Sequence, residues 1–159
     1  MFENPYAADL AGREPLASLA DGLREIESIT ARFDDGAWER TYGPGKWTGR
    51  ELLVHLAQME QFFGARIRMA LTVRDYVVQP IEQDDLVALE RVVSGPAALA
   101  SFAAQRRVHL ELFARITPAQ WDVTLEHPER GTMTARNLLE YLAGHDWRHV
   151  PHLRAIAGG

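Results

Sequence analysis

The sequence predicts an all-α fold, a four-helix bundle with one long crossover, and three observations predict it. Four stretches repeat apolar residues at spacings of three and four, the period of a helix that buries one face. Helix-start signals stand ahead of those stretches at Pro15, Thr48, Ser94 and Thr132 or Thr134. Residues 72–93 separate the second stretch from the third, far more chain than antiparallel neighbours need and enough to run the length of a bundle.

Residues 1–14 show no period and read as an irregular arm. The first helix begins near Pro15, tolerated in a first turn because the N–H it lacks has no helical partner there. Leu16, Leu19, Leu23, Ile26, Thr30 and Phe33 form its stripe, and Asp34-Asp35-Gly36 ends it. Gly43-Pro44-Gly45 marks a loop. Thr48 and Glu51 then form a capping box, each side chain satisfying the other's backbone N–H. The second helix runs from there to about Leu71 with Leu52, Leu56, Met59, Phe63, Ile67 and Ala70 inward. Residues 73–80 look extended, and 84–90 suit one or two helical turns. Ser94 caps the third helix, with Pro96 in its first turn and Leu99, Phe102, Ala103, Leu110, Phe113 and Ile116 on one face. Thr117 and Gln120 repeat the capping-box pattern ahead of a short turn carrying Trp121, and 122–131 reads as loop or a short extended piece. The fourth helix reaches about Ala157, and Pro151, which removes a backbone hydrogen bond, is expected to kink it.

At 159 residues the chain suits a single domain spanning 1–159. A net charge of −5, with arginines scattered among acids, argues against a nucleic-acid surface. No apolar run reaches the length of a membrane span, and Met1-Phe2-Glu3-Asn4-Pro5 lacks the basic and apolar regions of a signal peptide, so the expected compartment is the cytoplasm. The absence of cysteine excludes disulfides, thiolate-ligated zinc and a cysteine nucleophile. Chemistry must come from histidine, carboxylates, a metal or a cofactor.

The fourth helix concentrates that chemistry. His145, His149 and His152 fall within about 60° of one another at helical pitch, on the face of Leu138, Tyr141, Leu142 and Ile156. An unsatisfied buried imidazole costs about 1–3 kcal/mol, so these must pair or bind something. His145-x-x-x-His149 supplies two donors pointing the same way, the spacing that zinc-binding helices use. His55 is the candidate third ligand. It lies about 10 Å from the start of its helix, while His149 and His145 lie about 12 and 18 Å from the end of theirs. The three come level only if the second and fourth helices are antiparallel, which the long crossover produces. His109 falls roughly 10 Å from that level and is expected outside the ligand set. The competing reading is a group of hydrogen-bonded core histidines.

Trp47-Thr48-x-x-Glu51-Leu52-Leu53-x-His55-Leu56-x-x-x-Glu60, followed by His145-Asp146-x-x-His149-x-x-x-Leu153, resembles the DinB/YfiT-like superfamily of four-helix metalloenzymes over nearly the whole chain. The resemblance implies an up-down-down-up bundle, a divalent metal on His55, His145 and His149, and a homodimer. Relatives of known activity include S-transferases that use low-molecular-weight thiols and a thiol-dependent maleylpyruvate isomerase. His152 is a departure, since similar sequences often carry Gln there, and Pro151 precedes it.

The expected function is a metal-dependent enzyme, with zinc or nickel foremost, that activates water or a low-molecular-weight thiol cosubstrate toward a small-molecule substrate. Three neutral ligands leave such a metal its full charge and an open position. The alternatives are a hydrolase with Asp146 or His152 as base, and a non-catalytic metal-stabilised stress or binding protein. Asp146 projects about 100° from His145, so an inter-helix or surface ion pair stands beside the general-base reading. His152 suits pocket lining, proton shuttling or ligand replacement, and equally an exposed helix end. Glu51 is explained by its cap, Glu60 reads as an inter-helix contact, and the four tryptophans are expected at bundle ends or an interface.

Overall fold

The computed structural model describes residues 2–158. A one-turn helix, α1 (Ala7–Leu10), precedes the first long helix, α2 (Pro15–Thr30). Then come α3 (Gly49–Thr72), the short α4 (Gln83–Leu89), α5 (Gly95–Phe113), the single turn α6 (Pro118–Trp121), a hairpin of β1 (Thr124–His127) and β2 (Gly131–Thr134), and α7 (Ala135–Ala157). The long helices start where side chains satisfy their free N–H groups. The Glu14 carboxylate accepts from Leu16 and Ala17, Thr48 and Glu51 cap each other, Ser94 accepts from Ala97, and Thr134 pairs with Asn137.

Side-chain pairings between helices fix the topology. Ser18 meets Trp147 and Glu25 meets Arg154, so α2 and α7 run parallel. Glu60 meets Arg106 and Arg68 meets His109, so α3 and α5 also run parallel. His55 meets His149 and Phe63 meets Tyr141, which sets α3 antiparallel to α7. The bundle is up-down-down-up, and the crossover between α3 and α5 makes the parallel pair possible. That crossover is stitched to the hairpin: Val78 N–H donates to the Glu126 carbonyl and Glu126 N–H to that of Tyr76. No helix among the described residues is long and apolar enough to cross a membrane.

Two local features differ from the expectations. The N-terminal arm is ordered, with Tyr6 and Leu10 packed on the core. It lies so close to α7 that a Cβ at Gly144 would fall 2.5 Å from the Tyr6 carbonyl oxygen. Residues 124–134 form a hairpin that buries Leu125, His127 and Met133, and Gly131 takes φ +71° at its turn. Pro151 lies inside α7, which continues past it to Ala157.

The apolar core has two parts. One gathers Met59, Phe63, Ile67, Phe113, Leu138 and Leu142, and the other Ile26, Leu52, Leu56, Phe102, Leu153 and Ile156. Along α5 and α7 the chain passes from one part to the other through buried polar residues: Arg106 and His109, then His145, Asp146 and His149. Burying that layer requires partners, and the partners define the candidate site.

Candidate metal centre

The three histidines expected to act together are brought together. His55 comes from the second turn of α3, set by the Thr48 cap, and His145 and His149 stand one turn apart on α7. The Nε2 atoms of His55 and His145 are 2.9 Å apart, and those of His145 and His149 are 3.1 Å apart. All three side chains are buried, at 0, 1 and 8% exposure.

Burial holds them neutral. It lowers His55 from 6.5 to about 4. Burial, then the charges of His55, His152 and Arg148, lowers His149 to about 3. His145 lies well below its ordinary value through burial and its two histidine neighbours.

Neutral imidazoles in this arrangement do not satisfy one another. Each ring nitrogen offers one proton or one lone pair, so His145 Nε2 makes a full hydrogen bond to only one of its two neighbours. The Nδ1 atoms of His55 and His145 have no partner among the described residues. A cation taking all three Nε2 lone pairs removes the conflict. Metal–nitrogen bonds of about 2.0–2.1 Å place ligand nitrogens roughly 2.8–3.4 Å apart at octahedral to tetrahedral angles, and the observed separations of 2.9 and 3.1 Å fall in that range.

Aromatic rings close the site. Trp47 lies over His55 with ring centroids 4.6 Å apart, and Tyr6 meets His145 edge-on at 5.2 Å. Tyr6 is an unforeseen part of the site, because a one-turn helix is too short to show a period. His152 reaches the outer edge of His149, Nδ1 to Nδ1 at 3.2 Å, and stacks on Tyr42 at 4.1 Å. It touches one of the three histidines from behind.

Asp146 is placed elsewhere. Its Oδ2 accepts from Arg106 Nη1 at 2.6 Å, in the ion pair between helices that the sequence offered beside the general base. Arg106 also donates to both Glu60 oxygens, at 3.0 and 2.6 Å, and to the Leu19 carbonyl. His109 Nδ1 donates to Glu60 Oε1 at 2.6 Å and its Nε2 accepts from Arg68, which keeps it out of the histidine cluster. Burial, with the charge of Glu60, raises Asp146 by more than Arg106 lowers it, while Arg106 and His109 outweigh burial at Glu60 and hold it below its usual range. The sequence reading missed Arg106, although it follows Phe102 by four residues on the inward stripe.

One turn beyond the triad lies a cavity of about 330 Å³, lined in part by Met59, Phe63, Arg66, His127, Arg130 and Tyr141. None of the three histidines lines it, but the Tyr141 ring lies 6.4 Å from that of His145.

Comparison with known proteins agrees with this architecture. A protein of Oceanobacillus iheyensis named as a candidate metal-dependent hydrolase is 23% identical over 144 residues, covering 90% of this chain and 84% of that one. A similarly named protein of Bacillus mycoides is 19% identical over 142 residues, covering 89% and 82%. Among solved structures, YfiT from Bacillus subtilis, described as a candidate metal-dependent hydrolase with an unusual four-helix bundle topology, superposes with a TM-score of 0.82 at 19% identity, covering 91% of this chain and 84% of that one. A mycothiol-dependent maleylpyruvate isomerase superposes with a TM-score of 0.73 at 16% identity, covering 87% of this chain and 59% of that one. The profile of the DinB superfamily matches residues 18–153, and with nearly the whole bundle inside that match the chain belongs to the DinB superfamily.

Proposed function

We propose that this protein is a metal-dependent enzyme in which His55, His145 and His149 hold a divalent cation, zinc or nickel foremost, that activates a small nucleophile. The nucleophile is water or a low-molecular-weight thiol, and the substrate is a small electrophile. One observation carries the reading: three neutral imidazoles converge on a point where they cannot satisfy one another. The relatives' names support water, the isomerase likeness supports a thiol, and the lack of cysteine means any thiol arrives as cosubstrate.

A divalent cation held there is a Lewis acid that lowers the pKa of a water or thiol bound to it. The chain's own residues prepare for this. Burial keeps the three Nε2 lone pairs available at neutral pH. His152 is a positioning residue: by accepting at Nδ1 it holds the His149 proton on that side and leaves Nε2 free. Tyr6 and Trp47 exclude bulk water. Asp146, engaged by Arg106, takes no part in proton transfer. The proposal includes a homodimer, carried by the family resemblance, which light scattering would show as twice 17.9 kDa.

The test is elemental analysis followed by assay with zinc, nickel or manganese against a panel of esters and other electrophiles, with and without added thiol. Turnover that needs metal and vanishes in His145→Ala is expected. Thiol-independent turnover assigns water as the nucleophile. If metal binds and raises stability but no turnover exceeds that of free metal, the protein is a metal-stabilised binding protein instead.

A further inference from the structure

We propose that the cavity beside the triad is a carboxylate-binding site, in which Arg66 grips a small organic acid whose apolar body lies against Phe63 and Tyr141. The site stands on its own geometry. Naming the bound acid as substrate rests on the metal-dependent reading above.

Two buried arginines make the case by contrast. Arg106 is fully buried and answered by two carboxylates. Arg66 is 8% exposed, and its only hydrogen-bond partner among the described residues is the Gln79 carbonyl, 2.7 Å from Nη2. A guanidinium offers five N–H donors in a fork that fits a carboxylate. The remaining N–H groups of Arg66 are not sealed in the interior but open onto the cavity, where a carboxylate can replace water and complete the fork. Arg66 lines the cavity, so its remaining donors have a space in which to meet one.

The surroundings suit a carboxylate with an apolar body. The Arg66 guanidinium sits 5.3 Å above Phe63 and that of Arg130 5.4 Å above Tyr141, so two cations border two aromatic walls. His127 Nδ1 accepts from the Glu129 N–H at 3.2 Å, which leaves its proton on Nε2 as a further neutral donor. Glu82 and Glu129 also line the cavity, but both are exposed and screened by water, whereas Arg66 acts from within the protein. A volume of about 330 Å³ suits a small ligand. Met59 stands one turn from His55 and Tyr141 one turn from His145, so an acid anchored on Arg66 extends along Tyr141 toward the triad.

Calorimetric titration with benzoate and 4-phenylbutyrate, their neutral amides, and phenyl phosphate tests this on both zinc-loaded and EDTA-stripped protein. The acids are expected to bind both forms at least about tenfold tighter than the amides. Arg66→Met should lose at least about tenfold, Arg66→Lys less, and Arg130→Ala a few-fold. Equal binding of acid and amide overturns the proposal, as does undiminished binding in an Arg66→Met protein that melts like the parent. Tighter binding of phenyl phosphate also overturns it, in favour of a phosphate site. Loss of acid binding on stripping the metal places the carboxylate on the cation, which sinks this site while sustaining the metal reading. Acid binding in a protein that takes up no metal sustains the site and removes only the substrate label. If Arg66→Met fails to fold, Arg66→Lys and Arg130→Ala decide, and unchanged affinity in both overturns the proposal.

Discussion

His145 and Asp146 are neighbours in the chain, yet they serve buried polar clusters of opposite character. The cluster around Asp146 closes on itself: Arg106 is answered by Asp146, Glu60 and the Leu19 carbonyl, and Glu60 in turn by His109. The cluster around His145 stays open, with Nε2 atoms facing one another and two Nδ1 atoms unpartnered. Buried polarity alone does not mark a site, because a satisfied network is part of the scaffold. The facing Nε2 atoms, which no placement of protons satisfies, point to a cation between them, whereas the two Nδ1 atoms are a separate shortfall that a cation at Nε2 does not repair. The two arginines make a related contrast: Arg106 is answered entirely within the protein, whereas Arg66 has one protein partner and turns its other donors to a cavity.

The contrast breaks most sharply at Arg106. In Arg106→Met, Glu60 and Asp146 remain buried without their cation, and denaturant unfolding should show a loss of about 3–5 kcal/mol. A loss below about 1 kcal/mol would show that the closed cluster does not hold the layer together.

Acid should act first on the open cluster. In metal-free protein, His55 at about 4 and His149 at about 3 lie below their ordinary 6.5, so the unfolded chain takes up protons before the folded one does. The stabilisation is full above 6.5 and declines as pH falls toward those values, by about 1.4 kcal/mol per pH unit for each histidine. Glu60, held below its usual range, keeps its contribution to lower pH. Urea unfolding of metal-free protein at several pH values between 7 and 5 checks this. His149→Ala should flatten the slope, and an unchanged slope would place the protons elsewhere.

Metal should complete the open cluster. Zinc at a hundredfold excess over its Kd should add about 2.7 kcal/mol of stability, and His145→Ala should abolish the gain. A gain that survives the substitution would locate the metal away from the triad.

The smallest effect concerns the support for His149. His152→Leu should weaken metal binding about tenfold or somewhat more, whereas His152→Gln, which keeps an acceptor, should stay within a few-fold. Equal affinities in a competition titration would reduce His152 to a helix-end residue stacked on Tyr42.

The long helices were legible because each combines a full stripe with a cap, as Thr48 and Glu51 do for α3. The parallel α3 and α5 followed from the length of the crossover. Tyr6 with α1, and the hairpin from Thr124, lay below that resolution, since elements of four residues show neither period reliably. Within the site, the triad could be assembled from spacing and height. The closed cluster could not, because Glu60 and Asp146 each suggested an ion pair but only packing names Arg106 as their shared partner. Arg66 falls in the same class, since a lack of counter-ions is a property of three-dimensional surroundings.

The placement of two candidate ligands on the C-terminal helix also has a temporal meaning. His55 leaves the ribosome some ninety residues before His145, so over that interval the nascent chain holds only one of the three candidate ligands. The contact between His55 and His145 spans ninety residues, and contacts of such separation close late. A prematurely terminated chain ending before α7 would lack two of the three donors, which ties metal capture to completion of the bundle.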